Sequence, residues 1–123
     1  DMALILVVDD NALVRQVVRK MLEGAEHEVV EAQDGEEAIR LYEKRPAEVV
    51  IMDILMPGSD GVECIFALRF AYSDVTLIAI SGGGRIGPRD YLSSARKSGA
   101  LRAFTTPLDW EELLEAVREL AVT

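Results

Sequence analysis

Short unbroken apolar runs alternate along this chain with longer stretches in which apolar residues recur every three or four positions. Leu4-Ile5-Leu6-Val7-Val8 and Val49-Val50-Ile51-Met52 are runs of the first kind. A continuous apolar run this short reads as a strand buried on both faces, as in a parallel sheet. Strands are expected near residues 4–9, 28–32, 48–53, 76–81 and 100–105. Helical spacing places Leu13, Val14, Val17, Val18, Met21 and Leu22 on one face of a first helix, with Asn11 as its N-cap. Ala38, Ile39 and Tyr42 mark a second helix, and Val62, Ile65, Phe66 and Phe70 a third. Trp110, Leu113, Leu114, Val117, Leu120 and Ala121 mark the last, capped by Asp109 with Pro107 just before it. A fourth helix, roughly Pro88 to Ser98, carries few apolar residues and follows three glycines, Gly82 to Gly84. Burying so little, it is expected to be among the least stable parts of the fold. Five successive βα units argue for an α/β fold, a doubly wound parallel sheet with helices on both faces. No linker or repeat interrupts the 123 residues, so residues 1–123 are expected to form one domain.

Three acids change the picture. Asp9 and Asp10 end the first strand, and Asp53 ends the third. If both strands point the same way, the three crowd one edge of the sheet. Like charges that close repel, so the site should either hold a proton or recruit a cation. In an open parallel sheet, ligands bind beyond the carboxyl ends of the strands, where the strand order reverses. Ser81, ending strand four, and Thr106, following strand five, belong on the same edge. An acid cluster without an interleaved base suits a hard divalent cation such as Mg²⁺. A carboxylate is already ionised at neutral pH, so Asp53 could attack phosphorus without a general base. The bland alternative is that Asp9 or Asp10 caps the first helix and Asp53 opens a loop. The single histidine, His27, precedes strand two at the opposite edge, where it is expected to be a surface residue.

Composition narrows the function further. Thirteen Lys and Arg against 22 Asp and Glu give a net charge of −9, which disfavours direct binding to nucleic acid. One cysteine, Cys64, cannot form a disulfide within the chain and supplies too few ligands for a zinc site. No run approaches the ~20 apolar residues of a membrane span, and no leader is evident. The chain is therefore expected to be cytoplasmic and away from membranes. Charge is uneven late in the sequence. Arg89, Arg96, Lys97 and Arg102 outweigh Asp90, whereas Asp109, Glu111, Glu112, Glu115 and Glu119 outweigh Arg118. These stretches read either as two solvated helix faces or as complementary surfaces that meet between two copies.

Val7-Val8-Asp9-Asp10-Asn11, the stretch from Asp53 through Met56-Pro57-Gly58 to Asp60-Gly61, Ile80-Ser81-Gly82, and Gly99-Ala100 leading to Pro107 together carry a resemblance. In that order and at that spacing, the chain resembles the receiver domain of bacterial two-component response regulators, a phosphoprotein module of signal transduction, over essentially its whole length. The resemblance implies a flavodoxin-like, three-layer α/β/α fold with five strands in the order 2-1-3-4-5. It implies that Asp53 accepts a phosphoryl group, as an aspartyl phosphate, from a sensor histidine kinase or phosphotransfer protein. Asp9, Asp10, Asp53 and the backbone carbonyl of Leu55 would bind Mg²⁺. Ser81 would donate a hydrogen bond to the phosphoryl group and draw the fourth loop and helix inward. Such a domain is a signalling module and not an enzyme on other substrates. The fourth helix, fifth strand and last helix would form the surface that meets a partner or a second copy in a homodimer.

Two positions depart from the family pattern. Thr106 stands where receivers usually carry Lys before Pro107, giving a hydroxyl in place of a cation. Ala103 stands where a switching Tyr or Phe is common, and the adjacent Phe104 points to the other face of its strand. Arg85, in the loop after the glycines, is a candidate substitute for the lost charge. A degenerate receiver that acts only through protein contacts therefore remains open as a second reading. A third, remote one rests on Gly82, Gly84 and Gly87, which fit a dinucleotide-binding spacing. That motif belongs after the first strand, where Asp9 and Asp10 would repel a pyrophosphate.

Overall fold

The computed structural model describes residues 2–56, 59–81, 100–105 and 108–121. Strand β1 (Leu4–Val8) leads to helix α1 (Ala12–Gly24), β2 (Glu28–Ala32), α2 (Gly35–Lys44) and β3 (Val49–Asp53). Helix α3 (Gly61–Ala71), β4 (Leu77–Ser81), β5 (Arg102–Thr105) and a C-terminal helix (Trp110–Leu120) complete the described elements. All five strands are parallel, in the order β2-β1-β3-β4-β5. The doubly wound topology expected from the sequence is thus the observed one, and each strand lies within two residues of its expected position. A short antiparallel pairing of Leu55–Met56 with Ser59–Asp60 follows β3 and was not anticipated. The expected fourth helix and the glycines before it lie outside the described residues.

Alternation along the strands divides the core between two faces. Leu4, Leu6, Val8, Val50, Met52, Leu77 and Ala79 pack with Ala38 and Tyr42 of α2 and Ile65 and Leu68 of α3. Ile5, Val7, Val49, Ile51, Ile78 and Ile80 pack with Val18 and Leu22 of α1 and Leu113, Ala116 and Val117 of the C-terminal helix. Asn11 caps α1 by accepting the Leu13 and Val14 N–H groups, and Asp109 caps the C-terminal helix by accepting that of Glu112. Both caps match expectation. Asp34 caps α2 in the same way, through the Glu37 N–H.

Two helices bury less of their apolar pattern than its spacing implied. On α1 only Val18 and Leu22 are buried, while Leu13 is 72 % exposed and Val14 and Val17 also face solvent. Among the described side chains of α3, Ile65 and Leu68 are buried, and Phe66 and Phe70 are 61 % and 88 % exposed. Each helix meets one sheet face, which covers a narrower stripe than its apolar residues span.

The turn after α1 corrects the reading of His27. Its N–H reaches the Leu22 carbonyl and the Glu26 N–H reaches that of Glu23, with Glu26 at φ 70°. This is the Schellman closure of a helix, made with Glu in the left-handed position that Gly usually fills. It folds His27 inward until only 8 % of the residue is exposed, and Nδ1 accepts the Ala3 N–H at 3.2 Å. His27 is a buried structural residue at the amino edge of the sheet, not a surface one. Burial pushes its pKa below the ordinary 6.5 despite the nearby Glu48 carboxylate. A group that resists protonation when folded contributes stability that is complete above pH 6.5 and is lost as pH falls through the depressed value. Urea unfolding of His27→Gln should accordingly lose less stability between pH 7 and 5 than the parent does.

Gly35, the first residue of α2, is placed against α3. A Cβ there would overlap the Cys64 thiol and lie 2.9 Å from Cys64 Cβ. Gly35→Ala should therefore lower the free energy of unfolding by about 1–3 kcal/mol through overpacking. The double variant Gly35→Ala/Cys64→Ala should recover part of that loss in the same urea titration.

Candidate functional site

The order β2-β1-β3 means that the chain reverses its winding direction beside β1, and the switch point opens between the carboxyl ends of β1 and β3. In the β1–β3 ladder Val8 lies beside Met52, so the next residues along, Asp9 and Asp53, emerge at one level. Asp10 follows directly. One carboxylate oxygen from each of Asp9, Asp10 and Asp53 can be chosen so that all three lie within 4.8 Å of one another. The structure therefore brings together the three acids singled out in the sequence. Their burial is graded: Asp9 is 7 % exposed, Asp53 half-buried and Asp10 exposed.

Asp9 is the most tightly built of the three. Its N–H donates to the Ala32 carbonyl at 3.1 Å, extending the β1–β2 ladder by one bond. Its Oδ1 accepts the Asn11 N–H at 2.8 Å. Its own carbonyl accepts from Arg15 Nη1 at 2.6 Å. Desolvation raises the Asp9 pKa to about 6, opposed by the Asn11 hydrogen bond and reinforced by the charges of Asp53 and Asp10. The sequence-based alternative of a simple helix cap does not describe Asp9 or Asp10, because Asn11 holds that position.

The donor set fits a hard cation. It consists of carboxylate oxygens alone, with no imidazole or thiolate beside them, as Mg²⁺ prefers. The Asp9 carboxyl, desolvated and beside the like charges of Asp53 and Asp10, is one that a proton or a divalent ion would stabilise. Leu55 lies two residues beyond Asp53, in the short backbone pairing with Asp60. Ser81 ends β4 beside Thr105 of β5, on the same carboxyl edge. Thr106, Arg85 and the Gly82–Gly87 segment lie outside the described residues. Ala103 packs toward the α2–α3 face and Phe104 toward the opposite one, as strand alternation required.

Arg15 escaped the sequence reading. It reaches the Asp9 carbonyl, and its Nε also donates to Glu31 Oε1 at 3.0 Å, while Arg19 Nη1 reaches Glu31 Oε2 at 2.7 Å. The available signal was local: Arg15 is the sole charged residue among positions 12–18, where Gln16 is the one other polar residue.

Comparison with known proteins agrees with this architecture. The model of the response regulator receiver domain matches residues 5–118. The chain is 34 % identical over 120 residues to the transcriptional regulatory protein PdtaR of Mycobacterium tuberculosis, covering 97 % of this chain and 56 % of that protein. It is 28 % identical over 116 residues to the chemotaxis protein CheY of Halobacterium salinarum, covering 94 % of each. The crystal structure of the receiver domain of NtrX from Brucella abortus superimposes with a TM-score of 0.88 at 27 % identity, covering 95 % of this chain and 97 % of that one. The chain spans about half the length of the transcriptional regulators it matches, 56 % of PdtaR and 49 % of DegU from Brevibacillus brevis. By its sheet order, its match over residues 5–118 and these relatives, the chain belongs to the response regulator receiver domain family of two-component signal transduction.

Proposed function

We propose that residues 1–123 act as one phosphorylation-dependent receiver, with Asp53 as phosphoacceptor and a histidine kinase or phosphotransfer protein as donor. The observation that carries this reading is the convergence of the Asp9, Asp10 and Asp53 carboxylates within 4.8 Å at the switch point. Asp53 would attack the phosphorus of a phosphohistidine. The new O–P bond forms as the P–N bond breaks, and the imidazole leaves with the bonding pair. Asp9, Asp10, Asp53 and the Leu55 carbonyl would hold Mg²⁺. When bound, that ion supplies the positive charge that a transferring phosphoryl group requires. Ser81 would donate its hydroxyl to a phosphoryl oxygen once Asp53 is modified.

The exposed apolar residues of α1, Leu13, Val14 and Val17, start one turn from the acids. They support a protein partner approaching Asp53 across the start of α1. The basic stretch near the C-terminus is described only at Arg102, since Arg89, Arg96 and Lys97 lie outside the described residues. Arg102 pairs with Glu119 at 2.9 Å and Arg118 with Glu115 at 3.7 Å within the chain. A cytoplasmic location is part of this reading, and no described helix is long and apolar enough to cross a membrane.

Incubation with Mg²⁺ and acetyl phosphate should produce a mass gain of one phosphoryl group that is absent in Asp53→Asn and in samples containing EDTA. An unmodified parent protein would leave the degenerate receiver as the better reading.

Thr106 and Ala103 favour that second reading in part, since the usual cation and switching aromatic are absent. If the missing cation limits the reaction, Thr106→Lys should raise the initial rate of phosphorylation about tenfold or more, as expected on restoring one preorganised charge to such a site. Time-resolved mass spectrometry of the intact protein checks this.

A further inference from the structure

We propose that Arg15 is a positioning residue for the metal seat, acting through the peptide that joins Asp9 to Asp10. Its guanidinium bridges two elements. Nη1 donates to the Asp9 carbonyl at 2.6 Å, and Nε donates to Glu31 Oε1 at 3.0 Å on β2. The Asp9–Asp10 peptide is the only backbone link between two of the three converging carboxylates. With the Asp9 N–H tied to Ala32 and its carbonyl tied to Arg15, the residue is held from both sides. The Asn11 N–H fixes one oxygen of the Asp9 carboxylate at 2.8 Å.

The Arg15 end is itself anchored. Glu31 accepts from Arg15 and Arg19, and Arg19 also pairs with Glu23 at 3.1 Å. The Arg15 side chain is 16 % exposed, so its bonds are shielded from the solvent competition that weakens surface pairs. The Arg19 guanidinium, assisted by Arg15, holds the Glu31 carboxyl below the usual range, so the anchor stays charged through mildly acidic pH. The planar fork of arginine suits this task because separate N–H groups point at the carbonyl and the carboxylate together.

The sign of the effect separates positioning from simple electrostatics. Arg15 is a cation beside a cation site, so removing its charge alone would tighten Mg²⁺ binding. Loss of positioning would weaken it. Outer-shell partners of metal ligands typically govern affinity by tenfold or more.

This inference rests on the reading of the acid trio as an Mg²⁺ seat, and its test keeps the two apart. Isothermal titration with Mg²⁺ alone is compared for the parent, Asp10→Asn, Arg15→Met and Arg15→Lys, with urea unfolding in EDTA as the control for folding. The expected result is measurable binding by the parent that is reduced in Asp10→Asn, weakened about tenfold in Arg15→Met, and regained only in part in Arg15→Lys, whose ammonium keeps the charge but not the fork. Arg15→Gln, neutral and shorter, takes the place of Arg15→Met if that variant does not fold, with the same expected loss. A folded neutral variant that binds Mg²⁺ as tightly as the parent, or more tightly, overturns the positioning role and leaves the metal seat intact. A parent that binds no Mg²⁺ overturns both.

Discussion

The carboxyl edge of this protein is governed by the cost of holding three like charges closer together than water would leave them. Like charges within 4.8 Å of one another repel, and burial of Asp9 adds the larger cost of desolvating its charge. The fold sustains this because none of the three acids chooses its own position. Asp53 is the last residue of β3, and Asp9 follows β1 directly, so the ladder that pairs Val8 with Met52 sets their separation. Moving them apart would disturb Val7, Val8, Ile51 and Met52, which are among the most completely buried residues of the core. Desolvation first, and the neighbouring charges of Asp53 and Asp10 after it, raise the affinity of Asp9 for a proton. A proton is held there only at and below about pH 6. On the proposed reading, a divalent cation takes that place near neutrality.

The sheet was readable from sequence because its signal is local and its burial two-sided. An uninterrupted run such as Leu4–Val8 leaves no exposed face to be mistaken about. The caps Asn11 and Asp109 were readable for a related reason, since a short polar side chain acts on N–H groups two or three residues away. The acids were legible once the strands were, because parallel strands bring their carboxyl ends to one edge.

Other features depended on long-range packing that periodicity does not encode. The apolar spacing of α1 locates Leu13, Val14 and Val17 but says nothing of whether an element covers them. On α3 the apolar residues extend nearly all round, and the sheet takes up Ile65 and Leu68 while leaving Phe66 and Phe70 outside. His27 was misread because its burial depends on Glu26 adopting a left-handed conformation, for which glutamate gives no signal. Arg15 was passed over because a lone arginine in a largely apolar stretch looks like an interruption. Its contact with Asp9 becomes visible only when α1 is docked beside β2.

Charge balance at the proposed site gives Thr106 its significance. The three ionised acids carry three negative charges, and one divalent ion would leave a net single negative charge. Phosphorylation of Asp53 replaces a singly charged carboxylate with a group of up to two negative charges, so the modified site becomes more negative. A lysine at position 106 would offset that increment, whereas threonine contributes a dipole and no charge. On this reading the modified state of the present chain depends on its metal more heavily than a receiver with the usual lysine does. The geometry of the Asp9–Asp10 peptide then matters more as well, because the ion it helps to hold has no side-chain cation at position 106 to share its task.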